Sequence, residues 1–367
     1  MSPKTKVGPL KQDSLDFLRS VIESPSPSGF ESPVRKLMAE RMETYCDEVR
    51  HDVLGNVIGV LNPGAPKRVM LAGHCDEIGM MITNITDDGY LYFRAVGGFE
   101  VSVLVAQRVS VHTAKGDVPG VVGRKSVHLF GMEGNDPNKM PKMHDLWIDI
   151  GAKDKKDAEK AVAVGDYVTI DAGFQSLRND LVVGRGFDDR AGAFVVAETM
   201  RMLVESKSKL KVAVYGVATT QEELGMRGAV VSAHGIDPHA GIAIDLGFAS
   251  DYPTVNKNLV GDFAMNKGPI IAKGPNVNPV LGQKLIDTAR KLKVPHQIEG
   301  APKATGTDAN VMQMTRAGVA AALVSVPNRY MHTPIEIISL KDLAHTCKLI
   351  AGTVGGLKGT EDFTPAM

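Results

Sequence analysis

Residues 69–77 read Val-Met-Leu-Ala-Gly-His-Cys-Asp-Glu. Four apolar residues suit a short buried strand, and the chain then passes through one glycine into a histidine and two carboxylates. The same construction returns four times. Glycine-rich 182–186 leads to Asp188-Asp189-Arg190, apolar 212–218 to Thr219-Thr220-Gln221-Glu222-Glu223, apolar 241–244 to Asp245, and apolar 319–326 to Asn328-Arg329-Tyr330-Met331-His332. Helical stretches lie between these runs, at about 190–204, beyond Gly225, near 280–292 and near 308–314, with a last one from Ser339. Strands alternating with helices predict a doubly wound, mainly parallel α/β sheet covered on both faces. In such a sheet, ligands bind beyond the carboxyl ends of the strands. Five segments that end there in His or carboxylate mark the place.

Upstream, Leu15, Leu18 and Ile22 share one face of a first helix, which Pro25, Pro27 and Gly29 end. Ser32-Pro33 reads as a helix cap followed by a first-turn proline, opening a second helix to about Tyr45. Runs 48–53 and 57–61 flank Gly55-Asn56 and predict a hairpin. From Gly79 the texture changes. Runs 80–85, 90–95, 108–112, 120–123, 147–150 and 167–171 are short, β-rich and parted by Gly, Asp-Gly or Pro turns, the spacing of a small barrel-like β unit. The simplest division is a discontinuous α/β domain, 1–78 and 178–367, interrupted by a β domain, 79–177. Segment 129–144, rich in Gly, Pro, Asn and Met, predicts a loop.

Charge balances at 42 basic against 42 acidic residues. No basic stretch interleaves with aromatics, so a nucleic-acid partner is not expected. No run approaches the roughly 20 apolar residues that span a bilayer, and residues 1–7 lack the apolar core of a secretory signal. Three widely spaced cysteines (Cys46, Cys75, Cys347) argue for a reducing, cytoplasmic setting rather than a disulfide framework.

Each polar motif alone has a bland reading. Asp188-Asp189 could cap a helix, Glu222-Glu223 could be a solvated loop end, Asp245 could cap a turn, and His74 and His332 could be hydrogen-bonded loop histidines. Five such coincidences at strand ends make a poor account of the set. A pair of borderline metal ions about 3.5–4 Å apart needs a bridging carboxylate and mixed imidazole and carboxylate ligands. His74 and Asp76, two apart in an extended strand, share a face, so Asp76 can orient the imidazole. Adjacent Glu222 and Glu223 diverge, so one can bind metal while the other stays free as a general base. That is the equipment of metal-assisted hydrolysis. Cys75 falls on the opposite face and reads as packing.

The stretches Gly73-His74-Cys75-Asp76-Glu77-Ile78-Gly79, Asp188-Asp189-Arg190 and Gln221-Glu222-Glu223-Leu224-Gly225 continue with Arg227-Gly228-Ala229, Thr305-Gly306-Thr307-Asp308-Ala309 and Arg329-Tyr330-Met331-His332-Thr333-Pro334. In order and rough spacing, over residues 13–355, they resemble the tetrahedral (TET) aminopeptidases, also known as glutamyl aminopeptidases or "cellulase M". The resemblance implies removal of N-terminal residues from short peptides by a centre of two divalent metals per subunit, zinc first, with cobalt or manganese as alternatives. It implies that His74 and Asp245 bind one metal, Glu223 and His332 the other, with Asp188 bridging. Glu222 is then the general base and Asp76 stands behind His74. It also implies a cis Asp188-Asp189 peptide and a zinc-exopeptidase-like α/β domain with an inserted β domain that makes dimers. Six dimers then build a hollow tetrahedral homododecamer, with loop 129–144 reaching a neighbour's pocket. Cys75 departs from the larger apolar residue common there. The alternatives are an N-acyl amino acid deacylase or dipeptidase of the same superfamily. A glycosidase, needing paired carboxylates without metal, or a non-catalytic scaffold fits less well, since His residues are in the set and no ligand or base is lost.

Overall fold

The computed structural model describes residues 10–366, apart from 134, 135, 137, 207 and 208. Its centre is four parallel strands in the order Ala213–Thr219, Arg68–His74, Ala240–Phe248, Ala320–Arg329. These are the apolar runs of the sequence, and almost every residue in them is buried. Antiparallel strands extend the sheet on both sides. Glu48–His51 and Val57–Leu61 form the expected hairpin and join Ala213–Thr219, while Glu336–Ser339, Leu181–Gly184 and Gln175–Ser176 follow Ala320–Arg329. The sheet is therefore mixed, with its parallel part at the middle.

One face carries Phe187–Glu205, packed by Leu340–Gly355, Gln12–Glu23 and Ser32–Glu43. The other carries Arg227–Ile236 and Asp308–Gln313. Glu31, not Ser32, occupies the cap position of Ser32–Glu43, and its Oε1 accepts the Gly29 and Gln221 N–H groups instead of capping the helix. Ser339 does cap the last helix, accepting from the Lys341 and Asp342 N–H groups.

Two glycines let the site form. Gly73 packs on the start of Phe187–Glu205 so closely that an added Cβ would lie 2.4 Å from the Gly192 carbonyl carbon. This contact brings His74 beside Asp188 and Asp189. Gly186 takes a left-handed φ of 59° immediately before that helix. Gly73→Ala is expected to cost about 1–3 kcal/mol, the usual penalty for overpacking, seen as a lower urea midpoint at fixed protein concentration. An unchanged midpoint would contradict the contact.

Between Gly79 and Ile170 the chain leaves this sheet and closes a separate six-stranded barrel. Its order is Gly79–Ile85, Leu91–Val96, Trp147–Asp149, Gly116–Gly123, Arg108–Thr113, Tyr167–Ile170. Closure comes from antiparallel pairing of Met80 with Val168. The barrel has its own core, with Met80, Ile82, Leu91, Val111, Ile148 and Val168 inside. Of segment 129–144, expected as a loop, the first part belongs to the helix Val127–Met132 and Met143–Asp145 forms a 3-10 turn. Residues 134, 135 and 137 of that segment lie outside the described residues.

Candidate metal centre

The carboxyl ends of the four parallel strands converge on one cluster of imidazole and carboxylate side chains. Thr219 is in register with His74, and Asp245 with Ser325, so the chain just past these residues turns into a common space. Beyond Thr219, Gln221 adopts a left-handed φ of 54°; beyond Arg329, Tyr330 and His332 do the same at 64° and 59°. Such conformations are sparsely populated by non-glycine residues and concentrate at functional sites. The Asp188-Asp189 peptide is cis.

Asp188 stands between two imidazoles. Its Oδ1 is 3.3 Å from His74 Nε2 and its Oδ2 is 3.4 Å from His332 Nε2. Glu223 Oε1 is also 3.4 Å from His332 Nε2, and Glu222 Oε2 is 3.9 Å from His74 Nε2. His74, Asp188 and Glu223 each offer a ligand atom within 4.8 Å of the others, as do His74, Asp189 and Asp245. All seven residues singled out from the sequence thus lie in or against this pocket. Asp189 joins them, its two oxygens accepting the His74 and Gly192 N–H groups at 3.0 Å each. The His332 side chain is 38% exposed and lies on the solvent side of the cluster; His74, 3% exposed, is buried within it.

Asp76 touches more than His74. The strand ends at His74, so residue 76 is already beyond it and the two-residue face rule no longer applies. The His74 Nδ1 partner at 3.1 Å is the Asp76 backbone carbonyl, while the carboxylate oxygen lies 3.4 Å away. That carboxylate accepts the Glu222 N–H at 3.0 Å, the Glu223 N–H at 3.2 Å and the Ser28 hydroxyl at 2.6 Å. It holds the Glu222-Glu223 turn by its peptide groups, leaving both glutamate side chains to face the pocket. Ser28 and Glu336 were missed in the sequence, because neither follows an apolar run and each reads as an ordinary turn or cap residue; Asp189 was singled out only as part of the Asp188-Asp189 motif, with no role of its own. Cys75 packs into the core, and burial pushes its thiol well up.

The electrostatics are those of a site short of positive charge. Burial would raise the Asp188 carboxyl, but His332 and His74 hold it well below the usual range. Asp245 is pushed well up by burial and by Asp188. Glu222 rises to about 8, from burial and the carboxylates of Asp308, Glu223 and Asp76, against the pull of His74. His332 is raised to about 11 by Asp188 and Glu223. Two imidazoles among so many buried carboxylates form a donor set of the kind that holds a divalent metal ion. A bound cation reverses this pKa pattern by favouring the ionised acids. The residues fit a metal.

A family model described as M42 glutamyl aminopeptidase matches residues 55–349. The chain belongs to that family. M42 peptidases are metal-dependent hydrolases, and this M42 chain is an aminopeptidase. It is 38% identical to the lysyl aminopeptidase of Pyrococcus furiosus over 352 residues, covering 95% of this chain and 99% of that one. Its fold matches a TET aminopeptidase from a marine sediment Thaumarchaeota archaeon with a TM-score of 0.90 at 34% identity, covering 96% and 100% of the two chains. It also matches the TET1 peptidase of Pyrococcus horikoshii at 0.83 and 31% identity, covering 94% and 100%; that protein can assemble into a tetrahedron or a large octahedral shell. Among the described residues, no helix of this M42 chain is long and apolar enough to cross a membrane.

Proposed function

We propose that the chain removes N-terminal residues from short peptides, using two divalent ions, zinc first among the candidates. His74 and Asp245 would hold one ion, Glu223 and His332 the other, with Asp188 shared. The observation that carries this reading is the Asp188 carboxylate, with one oxygen toward each imidazole. When bound, the ions polarise the scissile carbonyl and acidify the attacking water. Glu222 is fixed through its N–H to Asp76, which leaves its carboxylate for proton transfer. It takes a proton from the attacking water as the C–O bond forms, then returns it to the amine nitrogen as the C–N bond breaks. Asp76 acts by holding both glutamates in place.

Chelation should abolish activity, and zinc, cobalt or manganese should restore it. His332→Ala should lower the metal content by one ion per chain; unchanged stoichiometry by elemental analysis would remove His332 from the ligand set. Aminoacyl anilides should be cleaved and N-acetylated amino acids should not. The opposite preference would favour a deacylase on the same scaffold. We further infer that residues 1–78 and 178–367 form the catalytic unit and that 79–177 is the dimerising insert. The expected assembly is a dodecamer of six dimers, measurable by sedimentation. The unpaired cysteines suit a cytoplasmic location.

A further inference from the structure

Glu336 opens the Glu336–Ser339 strand and has no role in the reaction above, yet it is almost wholly buried at 2% exposure. Its Oε2 accepts the Asp188 backbone N–H at 2.9 Å, and its Oε1 accepts the His332 N–H at 2.8 Å. The two peptides belong to residues whose side chains meet at 3.4 Å in the pocket. His332 has a left-handed φ of 59°, and Asp188 follows left-handed Gly186 through a single residue. A buried carboxylate is a costly staple. The chemistry explains the choice. Two convergent N–H donors need an acceptor at both ends; a carboxylate provides this, whereas an amide accepts at one end and donates at the other.

We propose that Glu336 is a positioning residue of the metal centre, which fixes the spacing between the Asp188 and His332 backbones and thereby sets the affinity of the ion held by His332, Glu223 and Asp188. The proposal rests on the ligand assignment above. It makes the antiparallel strand beside Ala320–Arg329 part of the site's construction, although none of its residues is assigned to metal or substrate.

The test is a chelator-competition titration of metal-free enzyme with zinc, and with cobalt for its visible spectrum, comparing wild type, His332→Ala, Glu336→Gln and Glu336→Asp. Wild type is expected to bind two ions per chain and His332→Ala one. Glu336→Gln keeps the shape but sets an NH2 against a backbone N–H. It should keep both positions, with the affinity of the one that His332→Ala loses reduced roughly 10–100-fold, the usual effect of losing a partner behind the ligands, and with an altered cobalt spectrum. Glu336→Asp, with both oxygens drawn back by one methylene, should fall between; if the Gln variant does not fold, Asp decides by the same readouts. Wild-type affinity and spectrum in the folded variant, or a lowered unfolding midpoint of the metal-free protein with affinity unchanged, would overturn the proposal while the ligand assignment stands. Two ions retained by His332→Ala would overturn that assignment and this proposal with it.

Discussion

Glu222→Gln is expected to keep both ions and lose roughly 10²–10⁴-fold in kcat, the range that a positioned general acid or base contributes. Gln has nearly the same volume, and the contact that sets this turn is made by the backbone. The Glu222 N–H to Asp76 Oδ1 bond at 3.0 Å survives the change, as does the Glu223 N–H to Asp76 Oδ2 bond. The His74, Asp188 and Glu223 side chains keep their relations. What disappears is a carboxylate that can take and return a proton. KM should move little, because an interaction needed only for the chemical step lowers kcat and kcat/KM together. The check is steady-state kinetics on an aminoacyl anilide alongside metal content by elemental analysis. Near-normal turnover with two ions bound would remove Glu222 from the base role. Loss of metal together with activity would place Glu222 among the ligands instead.

His74, Glu222, Glu223, Asp245 and His332 could be picked out from sequence because each closely follows an apolar run, and strand ends in α/β sheets face the ligand. Punctuation also separated barrel from sheet, since runs such as 80–85 and 108–112 are parted by turns rather than by the helices that give the rest its βα rhythm. What it could not supply is partnership at long range. Glu336 takes its meaning from peptide groups at Asp188 and His332, and Ser28 takes its meaning from Asp76; neither has a local signature. The short strands on the Ala320–Arg329 side of the sheet were equally hidden. Ile270–Lys273 and Gln297–Gly300 are four-residue strands, and the second alternates between half-buried and exposed positions. The helix Lys155–Ala161 buries only Ala158, so its polar sequence carried no amphipathic stripe, only the Asp154 cap accepting from Asp157.

The same long-range logic makes Glu77→Ala the most destabilising simple change expected outside the pocket. Glu77 lies where the chain leaves the sheet for the barrel, and Arg185 and Arg190 lie where it has returned. The Glu77 carboxylate meets Arg190 Nη2 at 3.0 Å and pairs with Arg185 Nη1, while Ser26 N–H donates to Glu77 Oε1 at 3.0 Å. Arg190 is 0% exposed and spends its remaining donors on the carbonyls of Gly186, Val21, Ser24 and Arg185. Burial pulls the Arg190 guanidinium down to about 10 and Glu77 counters it. Truncating Glu77 leaves that cation buried without its counter-charge, a loss of about 3–5 kcal/mol, read from urea unfolding at one protomer concentration, since assembly adds to apparent stability. Burial would raise the Glu77 carboxyl, but Arg185 and Arg190 outweigh it and the net shift is downward. A depressed folded pKa means the contribution is complete above the unfolded value of about 4.3 and is lost as pH falls through the folded one. The gap between wild type and Glu77→Ala should therefore be widest near neutrality and close below about pH 4. A difference under about 1 kcal/mol at pH 7, where only an exposed pair would be worth so little, would show that this junction does not depend on its buried charges.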